Sequence, residues 1–320
     1  MHERCPAPAV CYPRRPMNAD ASLLNIAEPT ARPFPGLDWR ERLERLRALI
    51  APLGEVVVAY SGGVDSSLVL RAAHDVLGAR AHGVIGRSDS YAARELTLAL
   101  EQAAAFGAQV EVVTTGELAD AKFRANSLDR CYHCKRELYR RLDEVAQRTG
   151  AAAVLDGTIT EDLTDWRPGR RAAAERRVRS PLAELGFTKS DVRAAATHFG
   201  LASHDKPASP CLASRIPYGT EITRDNLGMV EKAEELVRSL GFRELRVRHH
   251  GEMARVELPL EDLPRALEPD VREKLVKGLE GVGYRFVTLD LAGLRSGSLN
   301  PEVVRRRVLL DDVKPTLTAD

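Results

Sequence analysis

The stretch Val56-Val57-Val58-Ala59-Tyr60-Ser61-Gly62-Gly63-Val64-Asp65-Ser66-Ser67-Leu68-Val69-Leu70 leaves a chain few ways to fold. A run rich in β-branched residues stops at a Ser-Gly-Gly turn, and a helical pattern with Leu68, Leu70 and Ala72 follows. The order is strand, tight glycine turn, helix N-terminus. The first N–H groups of a helix lack intrahelical partners, and with the helix dipole they attract negative charge. Gly62 and Gly63 let the backbone approach an oxyanion where a Cβ would intrude, and Ser61, Ser66 and Ser67 add hydroxyl donors. The turn is not a Walker A loop, which carries a Lys-Ser/Thr pair after its last glycine.

Further along, His82 to Gly86, Val110 to Val113 and Ala153 to Asp156 read as strands. Helical patterns alternate with them: Trp39 to Ile50, Tyr91 to Phe106 and Lys135 to Thr149, with a later one from Lys189 to His198. Such alternation predicts an α/β fold, a parallel sheet with helices on both faces. Ligands of such sheets bind beyond the strand carboxyl ends, where the glycine turn sits. Asp156-Gly157-Thr158 reaches the same edge, and there Glu161, Asp162 and Asp165 either help position Mg²⁺ or form a polar capping turn. Trp166 to Arg179 holds six arginines and is either a solvated mobile loop or a lid that meets phosphates. After Tyr218-Gly219 the pattern changes to a smaller α+β unit. It has helices over Asp225 to Leu240 and Glu261 to Leu279, and strands over Arg243 to His249, Ala254 to Leu258 and Arg285 to Leu289. Arg246, Arg248 and His250 share one face of their strand, which is either a phosphate site or the sheet's wet side.

With 320 residues, two domains are expected, and 44% hydrophobic residues suffice for packed cores. The 47 Lys and Arg nearly balance 46 Asp and Glu, a net charge of +1, and aromatics are only 5%. Neither suits a general nucleic-acid surface. No apolar run has the length of a membrane span, and no secretory h-region precedes the first domain. Met17 is an alternative start, and Cys5 and Cys11 lie in a proline-broken tail. Five cysteines in a chain this long do not make a disulfide framework, so a reducing cytoplasm is expected. Cys131-Tyr132-His133-Cys134 has the spacing that lets two thiols reach one metal or cluster, or it is a pair of unligated thiols in a turn. Cys211 sits on a proline-shaped loop flanked by Lys206 and Arg215, cations that would favour its thiolate; the alternative is a structural cysteine.

Ser61-Gly62-Gly63-Val64-Asp65-Ser66 resembles the PP-loop of the ATP pyrophosphatase superfamily, whose members cleave ATP between the α and β phosphates. With Arg130 to Lys135, Asp156-Gly157-Thr158, Arg167-Pro168-Gly169, Ser180-Pro181-Leu182, Lys206 to Arg215, Arg246 to Gly251 and Arg295 to Asn300, the chain is similar to the LarE family. These are ATP-dependent sulfur transferases that make the nickel-pincer nucleotide cofactor of lactate racemase. The family's Asn after Gly-Thr is replaced by Ile159.

The resemblance implies a tail over 1–37, a PP-loop domain (adenine nucleotide alpha hydrolase-like) over 38–216, an α+β substrate or oligomerisation domain over 217–300, and a charged tail over 301–320. It implies ATP and Mg²⁺ at Ser61, Gly62, Gly63, Asp65, Ser66, Ser67 and Gly157, with Cys211 and Asp65 catalytic. The substrate, pyridinium biscarboxylic acid mononucleotide, is assigned to Arg215, Arg246 and Arg248. Cys131, Cys134 and Cys211 match the members that hold a 4Fe–4S cluster, while other members sacrifice the residue matching Cys211. A homo-oligomer, hexameric in known relatives, and an unidentified sulfur donor complete the expectation. The rival readings are a PP-loop tRNA thiolase, an amide-forming PP-loop synthetase and a non-catalytic nucleotide- or metal-binding module.

Overall fold

The computed structural model of the protein describes residues 32–164 and 168–295, the side chain of Thr164 excepted. Asp165, Trp166 and Arg167, the tail through residue 31 and everything after Arg295 lie outside the described residues.

Helix α1 (Trp39–Ile50) begins where the sequence signals it. Asp38 accepts from the Arg40 and Glu41 N–H groups, and the Glu41 carboxylate returns a bond to the Asp38 N–H, a capping box. Its buried stripe is Leu43, Leu46 and Ile50, together with Arg42, which the apolar periodicity does not reveal. The Arg42 guanidinium donates to the Leu185, Pro33 and Phe34 carbonyls, so a fully buried cation closes three backbone acceptors.

Strand β1 (Val56–Ala59) leads through the glycine turn into α2 (Val64–Leu77), followed by β2 (Ala81–Arg87), α3 (Ala93–Ala105) and β3 (Val110–Thr114). Then come α4 (Ala121–Arg124), α5 (Arg130–Thr149), β4 (Ala153–Leu155), α6 (Thr160–Thr164), α7 (Gly169–Glu175), α8 (Pro181–Glu184) and α9 (Lys189–His198). The four strands pair in parallel in the order β3-β2-β1-β4. Alternate residues of β1 serve opposite faces. Val56 and Val58 pack with Leu46, Leu68 and Val192, whereas Val57 packs with Tyr139, Leu142 and Val145 of α5. A strand covered on both sides needs a continuous apolar run, which is what Val56-Val57-Val58 supplies.

Two close approaches fix the carboxyl edge of this sheet. Gly62 has φ +67°, and a Cβ there would lie 2.5 Å from the Ala99 Cβ. A Cβ on Gly157 would lie 2.6 Å from the Ser66 N and 2.9 Å from the Asp65 carbonyl carbon. The turn after β4 therefore rests directly on the first turn of α2, backbone against backbone.

The second unit of structure is built from α10 (Arg224–Ser239), β5 (Arg246–His250), β6 (Met253–Glu257), α11 (Leu263–Ala266), α12 (Pro269–Val282) and β7 (Phe286–Leu289). β5 and β6 form an antiparallel hairpin, and β7 adds in parallel to β6. Val237, Val247, Val256, Leu279 and Tyr284 form its core.

The helix expected over Glu261 to Leu279 is broken. Pro269 opens α12 and forces Glu268 into an extended conformation, so the apolar period runs through a real boundary. The arginine-rich stretch also differs from a loop: its described part contains α7, packed on α5. Arg171 stacks 3.8 Å from the Tyr132 ring centroid, and Arg176 pairs with Asp143 at 2.8 Å. No helix among the described residues is long and apolar enough to cross a membrane.

Gly157→Ala forces a methyl group into immovable backbone. Urea unfolding should show a loss of about 1–3 kcal/mol with an unchanged m-value.

Candidate active site

β1 ends at Ala59, and the loop hydroxyls beyond it bond among themselves. Ser66 Oγ accepts from the Ser61 N–H at 3.1 Å and lies 3.1 Å from both Ser61 Oγ and the Gly63 carbonyl oxygen. Ser67 Oγ donates to the Gly63 carbonyl at 2.7 Å and accepts from Gln102 Nε2 at 2.5 Å. The Tyr91 hydroxyl donates to the Ser61 carbonyl at 2.9 Å, and burial pushes its pKa well above the ordinary range. The structure thus brings Ser61, Gly62, Gly63, Ser66 and Ser67 together at the N-terminus of α2, with Gly157 against them. Asp65, in the first turn, is held by Lys189 Nζ at 2.7 Å to each carboxylate oxygen.

The turn after β4 is organised by Asp156. Its buried carboxylate accepts from Tyr139 Oη (3.1 Å), Thr158 N (3.1 Å), Thr158 Oγ1 (3.0 Å) and Ser180 Oγ (2.7 Å). Of the acidic residues expected near Mg²⁺, Glu161 accepts from the Lys189 N–H at 2.8 Å and Asp162 from the Ile159 N–H at 3.2 Å, both capping contacts.

Cys131 and Cys134 lie in the first turns of α5, which starts at Arg130 rather than at Lys135. Cys211 stands on the loop before the short 3₁₀ turn Leu212–Arg215. All three thiols are free, and Cys211 and Cys131 both act electrostatically on Cys134. Burial, then Glu117, then Cys211 push the Cys134 pKa well above its usual value. Cys134 Sγ donates to Glu117 Oε1 at 3.9 Å, Ser90 Oγ donates to the same oxygen at 3.0 Å, and the buried Glu117 Oε2 has no hydrogen-bond partner among the described residues. Nothing in the local sequence singles out Glu117.

Of the two cations expected beside Cys211, Arg215 donates to its carbonyl at 3.2 Å, and Arg130 is a further cation at the thiols. Lys206 pairs with Glu95 at 2.7 Å and Arg215 with Glu234. Burial opposes the Arg130 charge, but Cys211, Cys131 and Tyr218 outweigh it and raise the pKa. The His133 Nδ1 lies 3.5 Å from Asp120. Among the described residues, no group of three or more His, Cys, Asp or Glu side chains is arranged to hold a metal ion. The donor chemistry, two thiols that act on a third, fits a thiophilic cluster.

The three arginines assigned to substrate have different surroundings. Arg215 is 1% exposed and spans Glu234 with bonds of 2.8 and 3.0 Å, while its remaining donors reach the Pro210 and Cys211 carbonyls and Ser214 Oγ. Arg248 grips Glu257 at 2.8 and 3.0 Å and donates to the Ser214 carbonyl. Both shape the Cys211 loop from beneath. Arg246 bonds the Leu245 and Ala208 carbonyls and has no ion pair among the described residues; burial and then the Arg215 charge lower its pKa to about 10. The strand face expected to be either a phosphate site or wet is thus largely packed under the Cys211 loop. Cys211 lines a small cavity with Tyr91, Arg94, Glu95 and Arg215. Tyr91 therefore touches both the glycine loop and the space beside the sulfur.

No protein-family model matches the chain. It is 41% identical over 264 residues to the pyridinium-3,5-bisthiocarboxylic acid mononucleotide synthase of Lactiplantibacillus plantarum, across 82% of this chain and 95% of that protein. It is 44% identical over 259 residues to an uncharacterized protein of Synechocystis, across 81% and 97%. A tRNA-specific 2-thiouridylase, MnmA of Xanthobacter autotrophicus, is 32% identical over 197 residues, about half of each chain (48% and 49%).

Glu234→Gln leaves Arg215 buried beside a neutral group, and denaturation at pH 7 should show a loss of about 3–5 kcal/mol. Burial alone would raise the Glu234 pKa, but Arg215 and then Arg238 hold it below the usual value. A depressed folded-state pKa contributes stability above the unfolded value and loses it as pH falls through the folded one. The gap between wild type and variant should be widest near neutrality and close below pH about 4.

Proposed function

Since the chain belongs to the LarE family of ATP-dependent sulfurtransferases within the PP-loop superfamily, we propose that it inserts sulfur into a carboxylate of pyridinium-3,5-biscarboxylic acid mononucleotide. A carboxylate oxygen attacks the α-phosphorus of ATP, the bond to the β-phosphate oxygen breaks, and pyrophosphate leaves. A sulfur nucleophile then attacks the acyl carbon, and AMP departs with the bridging oxygen. The product is a thiocarboxylate.

Ser61, Gly62, Gly63, Ser66, Ser67 and the free N–H groups of α2 hold the leaving pyrophosphate, and Asp65 would hold Mg²⁺, which would neutralise phosphate charge. Gly157 keeps the second wall of the nucleotide site free of side chain. Arg246, whose hydrogen-bond partners are carbonyls, takes the substrate phosphate, while Arg215 and Arg248 hold the loop on which Cys211 acts. The observation that carries the reading is the position of Tyr91, bonded to the Ser61 carbonyl and lining the Cys211 cavity. An adenylate made at the loop has a sulfur-bearing residue as its neighbour.

Cys131, Cys134 and Cys211 would hold a 4Fe–4S cluster, which supplies an iron able to carry a hydrosulfide. A second reading is favoured by the place of Cys211 in the cavity that Tyr91 shares with the glycine loop: Cys211 Sγ itself attacks the acyl carbon, and later loss of a Cα proton with Cβ–S cleavage leaves dehydroalanine and the thiocarboxylate.

Anaerobic purification with iron and acid-labile sulfide analysis separates the two. About four irons per chain, lost in Cys131→Ala, is the expected result; iron-free protein that loses the mass of H₂S at Cys211 after one turnover establishes the second reading. Cys211→Ala should still release pyrophosphate with ATP and the pyridinium nucleotide yet form no thiocarboxylate. Absence of pyrophosphate from the wild type would sink the proposal.

A further inference from the structure

Gln102 is a polar side chain where packing alone would call for an apolar one. It is 6% exposed on α3, between the buried Ala99 and Ala103, and a buried amide is costly unless its groups are satisfied. Both N–H groups and the oxygen are used. Nε2 donates to Tyr60 Oη at 3.1 Å and to Ser67 Oγ at 2.5 Å, and Oε1 accepts from the Ser203 N–H at 2.7 Å.

This network admits one arrangement of protons. The Ser203 N–H can only donate, so the amide oxygen must face it and the nitrogen must face the two hydroxyls. Tyr60 Oη then gives its own proton to the Ala99 carbonyl at 2.9 Å, and Ser67 Oγ gives its own to the Gly63 carbonyl at 2.7 Å. Ser67 keeps no proton for a phosphate, so its share in holding one is indirect. With the Ser67 N–H at 3.0 Å and Ser66 Oγ at 3.1 Å, it ties the Gly63 carbonyl oxygen to the first turn of α2. A carbonyl oxygen free to face the ligand would repel an anion.

The segment that carries Cys211 is fastened to the same helix. The Leu212 N–H donates to the Ser90 carbonyl at 2.8 Å just before α3, Lys206 pairs with Glu95 at 2.7 Å, and the Ser203 N–H reaches Gln102. Ala99, between Glu95 and Gln102 on that face, abuts Gly62 of the glycine loop.

We propose that Gln102 is a positioning residue of the adenylating site. One end of its amide fixes the Ser67 hydroxyl on Gly63, and the other fixes the start of the Cys211 segment. This rests on the function proposed above and adds to it a residue that touches neither phosphate nor sulfur.

Calorimetric titration of the full chain with inorganic pyrophosphate and Mg²⁺ tests the first end. Gln102→Met keeps the length and removes the amide, and it should weaken pyrophosphate roughly 3- to 10-fold, the range of one neutral hydrogen bond. Ser67→Ala should weaken it by a similar factor. The double variant should match Ser67→Ala within about twofold, because both residues act on one carbonyl. Unchanged affinity in either single variant, even with a lowered melting temperature, would overturn the assignment, and so would losses that multiply in the double. Amide exchange at Ser203 tests the other end. It should be slow in wild type and in Gln102→Glu, whose carboxyl group still accepts, and fast in Gln102→Met. Slow exchange in the Met variant would overturn the tie to the Cys211 segment. A wild type that binds no pyrophosphate would defeat the adenylating function itself, and this proposal with it.

Discussion

Arg215 and Glu234 are buried against each other, and the sulfur side of the site is assembled around them. Taking each charge out of water costs several kcal/mol, a penalty their attraction offsets only with good geometry and further hydrogen bonds. Those bonds are present. Glu234 also accepts from the Val247 N–H and from Arg238, while Arg215 gathers the Pro210 and Cys211 carbonyls. The pair thereby ties a proline-shaped loop to α10 and β5, elements that otherwise belong to a separate core. Arg248 repeats the device with Glu257 and the Ser214 carbonyl. The result is position rather than net stability: Cys211 is set beside the cavity that Tyr91 shares with the glycine loop.

Around the thiols, burial and charge oppose one another. Burial, then Glu117 and the neighbouring sulfurs, keep the proton on Cys134, whereas Cys211 and Cys131 help hold the charge on Arg130 against its burial. Any metal or cluster bound here must displace that proton, so loading releases protons and is favoured at higher pH. Glu117 stands out because it is buried with Oε2 lacking a hydrogen-bond partner among the described residues, which is costly for a carboxylate in a folded protein.

Much of this was legible in the sequence where local chemistry decides. α1 and α9 occupy the expected spans, since a capped start and a clear apolar period leave little choice. The four-stranded sheet, the glycine turn and the approach of the Asp156 turn also follow from pattern, because only glycine fits at Gly62 and Gly157. The break before Pro269 was locally written but hidden by an apolar period that continues across it. Contacts between distant segments were not legible. Nothing near Lys189 announces Asp65, nothing near Glu117 announces Cys134, and nothing near Cys211 announces Arg130, which joins Arg215 at the thiols. Arginines read as substrate ligands or as a free lid are mostly paired within the protein, because their carboxylate partners lie on other elements.

The central claim is that a substrate carboxylate is adenylated at the glycine loop and then attacked by sulfur at the acyl carbon. Its most direct test is a single turnover with substrate labelled with ¹⁸O in both carboxylates, followed by mass analysis of the nucleotide. The account requires one ¹⁸O in the phosphate of AMP and none in pyrophosphate, since the bridging oxygen leaves with AMP. AMP released without label while thiocarboxylate forms would show that no acyl-adenylate lies on the path, and the account would fail.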